Sequence, residues 1–228
     1  MVSGMSLPDP PRATNSDLAY AAAAAGASLV PVVGGAAVEL VSAVFGPPLE
    51  RRQQRWFEEL ADVVRSLQEN DIPLDSPEFV SAVATASRIA LGTHLQEKIA
   101  MLKAAVLHAA LPDRPADMIT MRFLRFIDEL DPEHFVLLTF MRDPAGHFDR
   151  NEIERPNIYM GGLGSIYDQS GITISNVQLV LRDISDGGLA DGGSWNTLMT
   201  ANGAWSPRTT PLGNQLLDFV TFIDFDEE

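Results

Sequence analysis

Hydrophobic and polar positions follow three regimes along this chain. From Leu18 to Gly46 they scarcely alternate: LAYAAAAAGASLVPVVGGAAVELVSAVFG carries Glu39 as its only charge. From Leu49 to Met141, apolar residues recur every three or four positions, the spacing that lines one face of a helix. From Asp143 onward the period dissolves into short apolar runs divided by glycine, proline and asparagine, the residues that punctuate turns.

The middle regime predicts a series of helices. Leu49, Trp56, Phe57, Leu60, Val63, Val64 and Leu67 mark an amphipathic one, and Pro47-Pro48 ahead of it predicts a break or kink, because proline lacks the N–H and its ring clashes with the preceding turn. Asp75-Ser76-Pro77-Glu78 announces the next, with Ser76 as cap and Pro77 in the first helical position. Its apolar positions Val80, Val83, Ile89, Ala90, Ile99, Leu102, Val106 and Ala109 continue to Leu111, with Pro112 as the stop. An unbroken helix of that length would span about 50 Å, so Gly92-Thr93 is the expected break. Met118–Leu130 forms a further helix, and Asp131-Pro132-Glu133 opens a short one ending near Met141. The expectation is a helical domain over residues 16–142, packed as an antiparallel bundle from residue 49.

The apolar regime has two readings. Its 29 residues exceed the about 20 needed to span a bilayer. Its alanines and glycines gain little in lipid, however, and Pro31, Gly34-Gly35 and Glu39 interrupt it. The favoured reading is a hairpin of two small-residue helices, Ser16–Leu29 and a second from Val32, packed face to face. Leu29, Val32, Val33, Val38, Val41, Val44 and Phe45 are its candidate contacts for a partner or a membrane. Arg51, Arg52 and Arg55 follow it as the largest local basic cluster, either a solvated helix face or a juxtamembrane anchor. Residues 1–15 read as a disordered, proline-rich tail whose only base is Arg12, without the basic region of a secretory signal. A cytoplasmic, bacterial protein is expected, with membrane association as the alternative.

In the last regime, residues 143–156 lack periodicity and read as a linker. Asn157–Asp168 suggests a short helix, Asn176–Ser185 a better one closed by Gly187-Gly188, and Thr210–Phe222 a final one. Between the last two, Asn202-Gly203 predicts a hairpin joining Trp195–Thr200 to Ala204-Trp205. The succession of helix, L-x-D-I-S-D-G-G-L-A, hairpin and T-P-L-G-N-Q-L-L-D-F-V resembles the second half of a winged-helix domain over residues 159–223, through Leu189, the glycines, Thr210 and Gly213. The resemblance implies that the helix before the glycines is a recognition helix and that the Thr-x-x-Gly turn opens the helix after the wing. The charge departs from the family pattern. Residues 157–228 hold nine acidic residues against Arg182 and Arg208, whereas a DNA reader needs several bases for phosphates. Such a domain is expected to bind protein or close a dimer.

Composition narrows the chemistry. An apolar fraction of 46% in 228 residues supplies a core, and a net charge of −15 makes nucleic acid an unfavourable partner. The absence of cysteine removes thiolate catalysis and cysteine-based metal sites. His94, His108, His134 and His147 share no ligand spacing, and Gly161-Gly162-Leu163-Gly164 lacks the lysine of a phosphate loop. No catalytic residue, metal or cofactor is therefore expected. Phe222 and Phe225, beside the acidic Asp224–Glu228, form a candidate docking motif. The sum is a mainly α protein, a helical hairpin and bundle followed by a small α+β winged-helix-like segment. It would serve as a protein-interaction module that self-assembles or binds a partner, or alternatively as a membrane-associated stress or phage-defence effector working through residues 18–46.

Overall fold

A computed structural model describes residues 35–223, with side chains placed from Pro48 onward apart from that of Ala201. Residues 18–34 of the expected hairpin, and Leu29, Val32, Val33 and Phe225 among its candidate contacts and docking residues, lie outside the described residues. The chain is mainly helical, with ten α-helices among the described residues and one two-stranded antiparallel sheet.

Four helices come first: α1 (Gly35–Glu69), α2 (Pro77–Gly92), α3 (Gln96–Ala110) and α4 (Asp117–Glu129). Ser76 caps α2 by accepting the Phe79 N–H at 3.1 Å, and Pro77 takes the first turn, where its missing N–H costs nothing. The expected break falls at Thr93–Leu95: the Thr93 N–H closes the last turn on the Ile89 carbonyl, and the Thr93 hydroxyl accepts the Leu95 N–H at 3.2 Å. Pro47-Pro48 does not break the helix, and α1 runs on through both prolines. Neither proline can donate to the ladder, so the carbonyls four residues back lose those partners while the helix continues.

Side-chain pairs set the topology. Trp56 donates its Nε1–H to Ser87 Oγ at 2.9 Å, tying α1 to α2. Arg114, just past α3, reaches Glu78 at the start of α2 at 3.6 Å, so α2 and α3 are antiparallel. Lys98 on α3 donates to the Asp128 carbonyl near the end of α4 at 2.9 Å, which makes those two antiparallel as well. Lys103 on α3 pairs with Glu59 on α1, while Ile99 and Gln96 share a groove with Arg55 and Trp56, so α1 and α3 run parallel.

Shorter elements follow: α5 (Pro132–Arg142), α6 (Pro144–Arg150), β1 (Met160–Gly161), α7 (Leu163–Tyr167), α8 (Val177–Asp186), a 3-10 turn at Gly192–Ser194, β2 (Met199–Thr200), α9 (Ala201–Ala204) and α10 (Pro211–Phe219). At α5, Asp131 and His134 form a capping box in which His134 Nδ1 accepts the Asp131 N–H at 3.0 Å. The stretch expected as a linker instead holds α6, because Asp143 caps it through the Gly146 N–H and Phe148 is fully buried. The expected helix at 157–168 is confined to α7, with β1 ahead of it. The expected hairpin does not form: Asn202-Gly203 sits in the helical turn α9, and β2 pairs with β1, Met160 opposite Thr200 and Gly161 opposite Met199. Asn-Gly favours a tight turn locally, yet the Gly203 carbonyl is taken by Arg208 and its N–H by Thr200 Oγ1.

Glycine chemistry holds this half together. At the end of α8, Gly188 adopts φ +71°, its N–H meets the Ser185 carbonyl and the Leu189 N–H meets that of Ile184, the paired bonds of a Schellman motif. A Cβ on Gly213 would lie 2.1 Å from the Leu189 carbonyl oxygen, and one on Gly162 would lie 2.3 Å from that of Trp195. One hydrophobic core runs from Trp56 to Phe219 and includes both halves, with the Phe123 and Phe219 rings 5.3 Å apart where they meet.

Candidate functional site

Three surfaces carry the chemistry available to the described residues. The first grows from the basic cluster. Arg51 and Arg55 lie four residues apart on α1, with Arg52 beside them, so all three occupy one flank of the helix. The parallel packing of α1 on α3 lays that flank across the Thr93–Leu95 reversal, and the result is a concavity of about 310 Å3 bounded by the arginines, His94, Thr93 and Gln96. Trp56 is its buried floor, held by Ser87. Arg52 and Arg55 are exposed and form no ion pair among the described residues, while ten of the fifteen described lysines and arginines do. With 31 acidic residues available, that is a separation of charge rather than a shortage of partners.

The second surface is the ribbon of β1 and β2. Side chains alternate between the faces of a strand pair, and the register places Met160 and Thr200 on one face, Gly161 and Met199 on the other, with Leu198 directly ahead of β2. The first face is open: Met160 is 68% exposed and Leu198 71%, with Tyr159 beside them at 82%. Large apolar side chains grouped so on a surface are the composition of a contact region. Behind Leu198 lies a shallow hollow with Ser165, Asp168, Gln178 and Asn196 on its walls and Trp195 at its base.

The third is a cleft of about 640 Å3 between α3, α5, α6 and α10. Both of its arginines are paired: Arg142 meets Asp218 at 2.6 Å and Arg150 meets Asp143 at 2.8 Å, while His147 Nε2 lies 3.0 Å from the Ser170 carbonyl. The Asp143 carboxyl is held below its ordinary pKa first by the Arg150 hydrogen bond and then by the Gly146 N–H. Nearby, burial between Phe140 and Trp195 raises the Tyr167 phenol above its ordinary value.

The sequence-derived candidates divide accordingly. Arg51, Arg52 and Arg55 are brought together and acquire His94 as a neighbour. Val38, Val41, Val44 and Phe45 fall on the first turns of α1, where side chains are not described. Phe222 lies past α10, half-exposed, its ring centroid 5.9 Å from Lys103 Nζ. The four histidines do not converge: His108 faces the Thr221 carbonyl at 2.9 Å and His134 Nε2 points at Asp183, 3.4 Å away. No group of three potential metal ligands occurs among the described residues, and no described helix is long and apolar enough to cross a membrane. Gly162 and Gly164, read only as a failed phosphate loop, serve to admit Trp195: the Gly164 N–H bonds the Trp195 carbonyl at 3.0 Å. Sequence reasoning missed the ribbon, whose sole signal is the apolar pair Tyr159-Met160 ahead of two glycines.

No family model, curated protein or solved structure matches this chain.

Proposed function

We propose that this chain is a non-catalytic protein-interaction module whose contact surface is the open face of the ribbon. The observation that carries the proposal is the exposure of Met160 on β1 together with Tyr159, which precedes that strand, and Leu198, which precedes its partner β2. Tyrosine and methionine are enriched at interfaces because each offers a large contact area with few polar atoms to desolvate.

The segment around the ribbon is read as winged-helix-like. Supporting that reading are α8 with its Gly187-Gly188 end, the antiparallel bridge of Ala190 with Thr209, and α10 capped by Thr210 through the Gly213 N–H at 3.1 Å. Its acidic balance disfavours nucleic acid and suits a protein partner, either another copy of the chain or a second protein.

A photo-crosslinking residue placed at Leu198 tests the proposal. Adducts to a second copy or to another protein, lost when Met160 is changed to Glu, are expected. Sedimentation of the purified chain as a monomer at every concentration, together with a cell-grown sample that crosslinks only to itself within one chain, would overturn the reading.

A further inference from the structure

We infer that the groove between α1 and the α2–α3 reversal is a binding site for a phosphate dianion carried on a small molecule or a lipid headgroup. The ribbon is a separate surface, so this inference does not rest on the proposed protein contact. Its basis is an imbalance of charge in a concave place. Arg52 and Arg55 direct two guanidinium groups to a concavity of about 310 Å3, and neither pairs with a carboxylate among the described residues. Elsewhere in this acidic chain bases find partners readily, as Arg65 does with Asp62 at 2.9 Å on the same helix. The planar forks of arginine match the oxygens of phosphate two at a time. Two unneutralised positive charges are met by one phosphomonoester dianion, whereas a single carboxylate leaves one of them uncompensated.

His94 stands at the edge of the same groove. The floor is rigid, because Trp56 is buried and hydrogen-bonded to Ser87, so the ligand meets preformed walls. The overall charge of −15 repels an anion at long range, and the interaction is therefore short-ranged and sensitive to salt. The position along α1 bears on the source. The arginines follow directly on the apolar turns containing Val41, Val44 and Phe45, an order that suits a lipid headgroup as readily as a soluble phosphate ester.

The test uses the full chain and the Trp56 indole N–H resonance as reporter. Titration with inorganic phosphate and glycerol phosphate, at low and then high salt, is expected to shift that resonance saturably. R52Q and R55Q should each weaken the response about tenfold, roughly one charge-assisted hydrogen bond. R65Q, on the same helix but outside the groove, should leave it unchanged. A parallel flotation assay uses phosphatidylcholine vesicles with and without phosphatidic acid. Capture by the phosphatidic acid vesicles that is lost in the R52Q/R55Q double variant assigns the phosphate to a lipid; saturable binding of the soluble probes without such capture assigns it to a free ester. Absence of binding to every probe, an equal response to acetate, or binding unaltered in the double variant would overturn the inference. Circular dichroism of the variants establishes that the fold is retained, which both exposed positions predict.

Discussion

The two halves of this molecule are held together by different physics. In the bundle, α1 to α4 bury extended apolar faces, with Trp56, Leu67, Leu102, Phe123 and Ile127 interdigitated across several helices. Any one contact there is replaceable by a neighbour, and the glycine at the end of α2 has open space around it. In the C-terminal half the elements are two to eleven residues long, and several of their positions depend on single close approaches: Gly162 against Trp195, Gly213 against Leu189, Thr210 against the Gly188 and Leu189 carbonyls. A long amphipathic helix distributes its specificity over many side chains. A short element has to concentrate it in one or two backbone contacts.

Substitutions can break that comparison or sharpen it. The largest effect is expected for Phe123→Ala, since the ring is fully buried at the seam against Phe219. A loss of about 4 kcal/mol by urea unfolding is expected, with tryptophan fluorescence and helical signal changing together. Separate transitions would show that the halves unfold independently. Next come Gly213→Ala and Gly162→Ala, where the added carbon meets a backbone oxygen that cannot swing away; each should cost about 3 kcal/mol. A cost below that of the helix caps would refute the role given to close approach in this half.

Tyr167 gives the comparison a pH dependence. Its folded-state pKa is raised by burial, so the stability it contributes is fully present below the unfolded tyrosine value, about 10, and is lost as pH rises through the folded one. Alkaline titration of stability should therefore fall more steeply for the native chain than for Tyr167→Phe, and superimposable curves would contradict the assignment. Caps come lower in the order. Ser76→Ala in the bundle should cost about 1 kcal/mol, and Thr210→Ala more than that, because its hydroxyl serves Gly213 and the Gly188 carbonyl together. The smallest effect carries the opposite sign: Gly92→Ala fills open space and should stabilise by about 0.5 kcal/mol through the unfolded chain.

The legibility of the sequence followed the same division. Ser76-Pro77, the Gly92-Thr93 break and Asp131-Pro132 were readable because a cap and its helix lie within four residues of one another. Gly187-Gly188 was readable for the same reason. The helix Pro144–Arg150 within residues 143–156 was not, since it rests on Asp143 bonding its own third neighbour while Phe148 enters the core and meets the Trp205 ring. The Asn202-Gly203 hairpin failed because Met199 and Thr200 found a strand some 40 residues earlier. Of the candidate site residues, Arg51, Arg52 and Arg55 were visible as a cluster, but their concavity was not, because His94 comes from the reversal between α2 and α3, some 40 residues further along the chain.

The sequence by itself determined the helical periods, their caps and the acidic balance, all of which are set by residues within a turn or two of one another or by a simple count. Tertiary structure alone decided which glycines stand against a backbone oxygen, which strand β2 joins, and that Arg52 and Arg55 line a groove with no ion pair among the described residues. Those depend on close approaches between residues tens of positions apart, where a carbonyl oxygen or a guanidinium from a distant element determines what fits. For the apolar stretch of residues 18–46 it is composition alone that speaks, and its alanines, its glycines and Glu39 disfavour a permanent span.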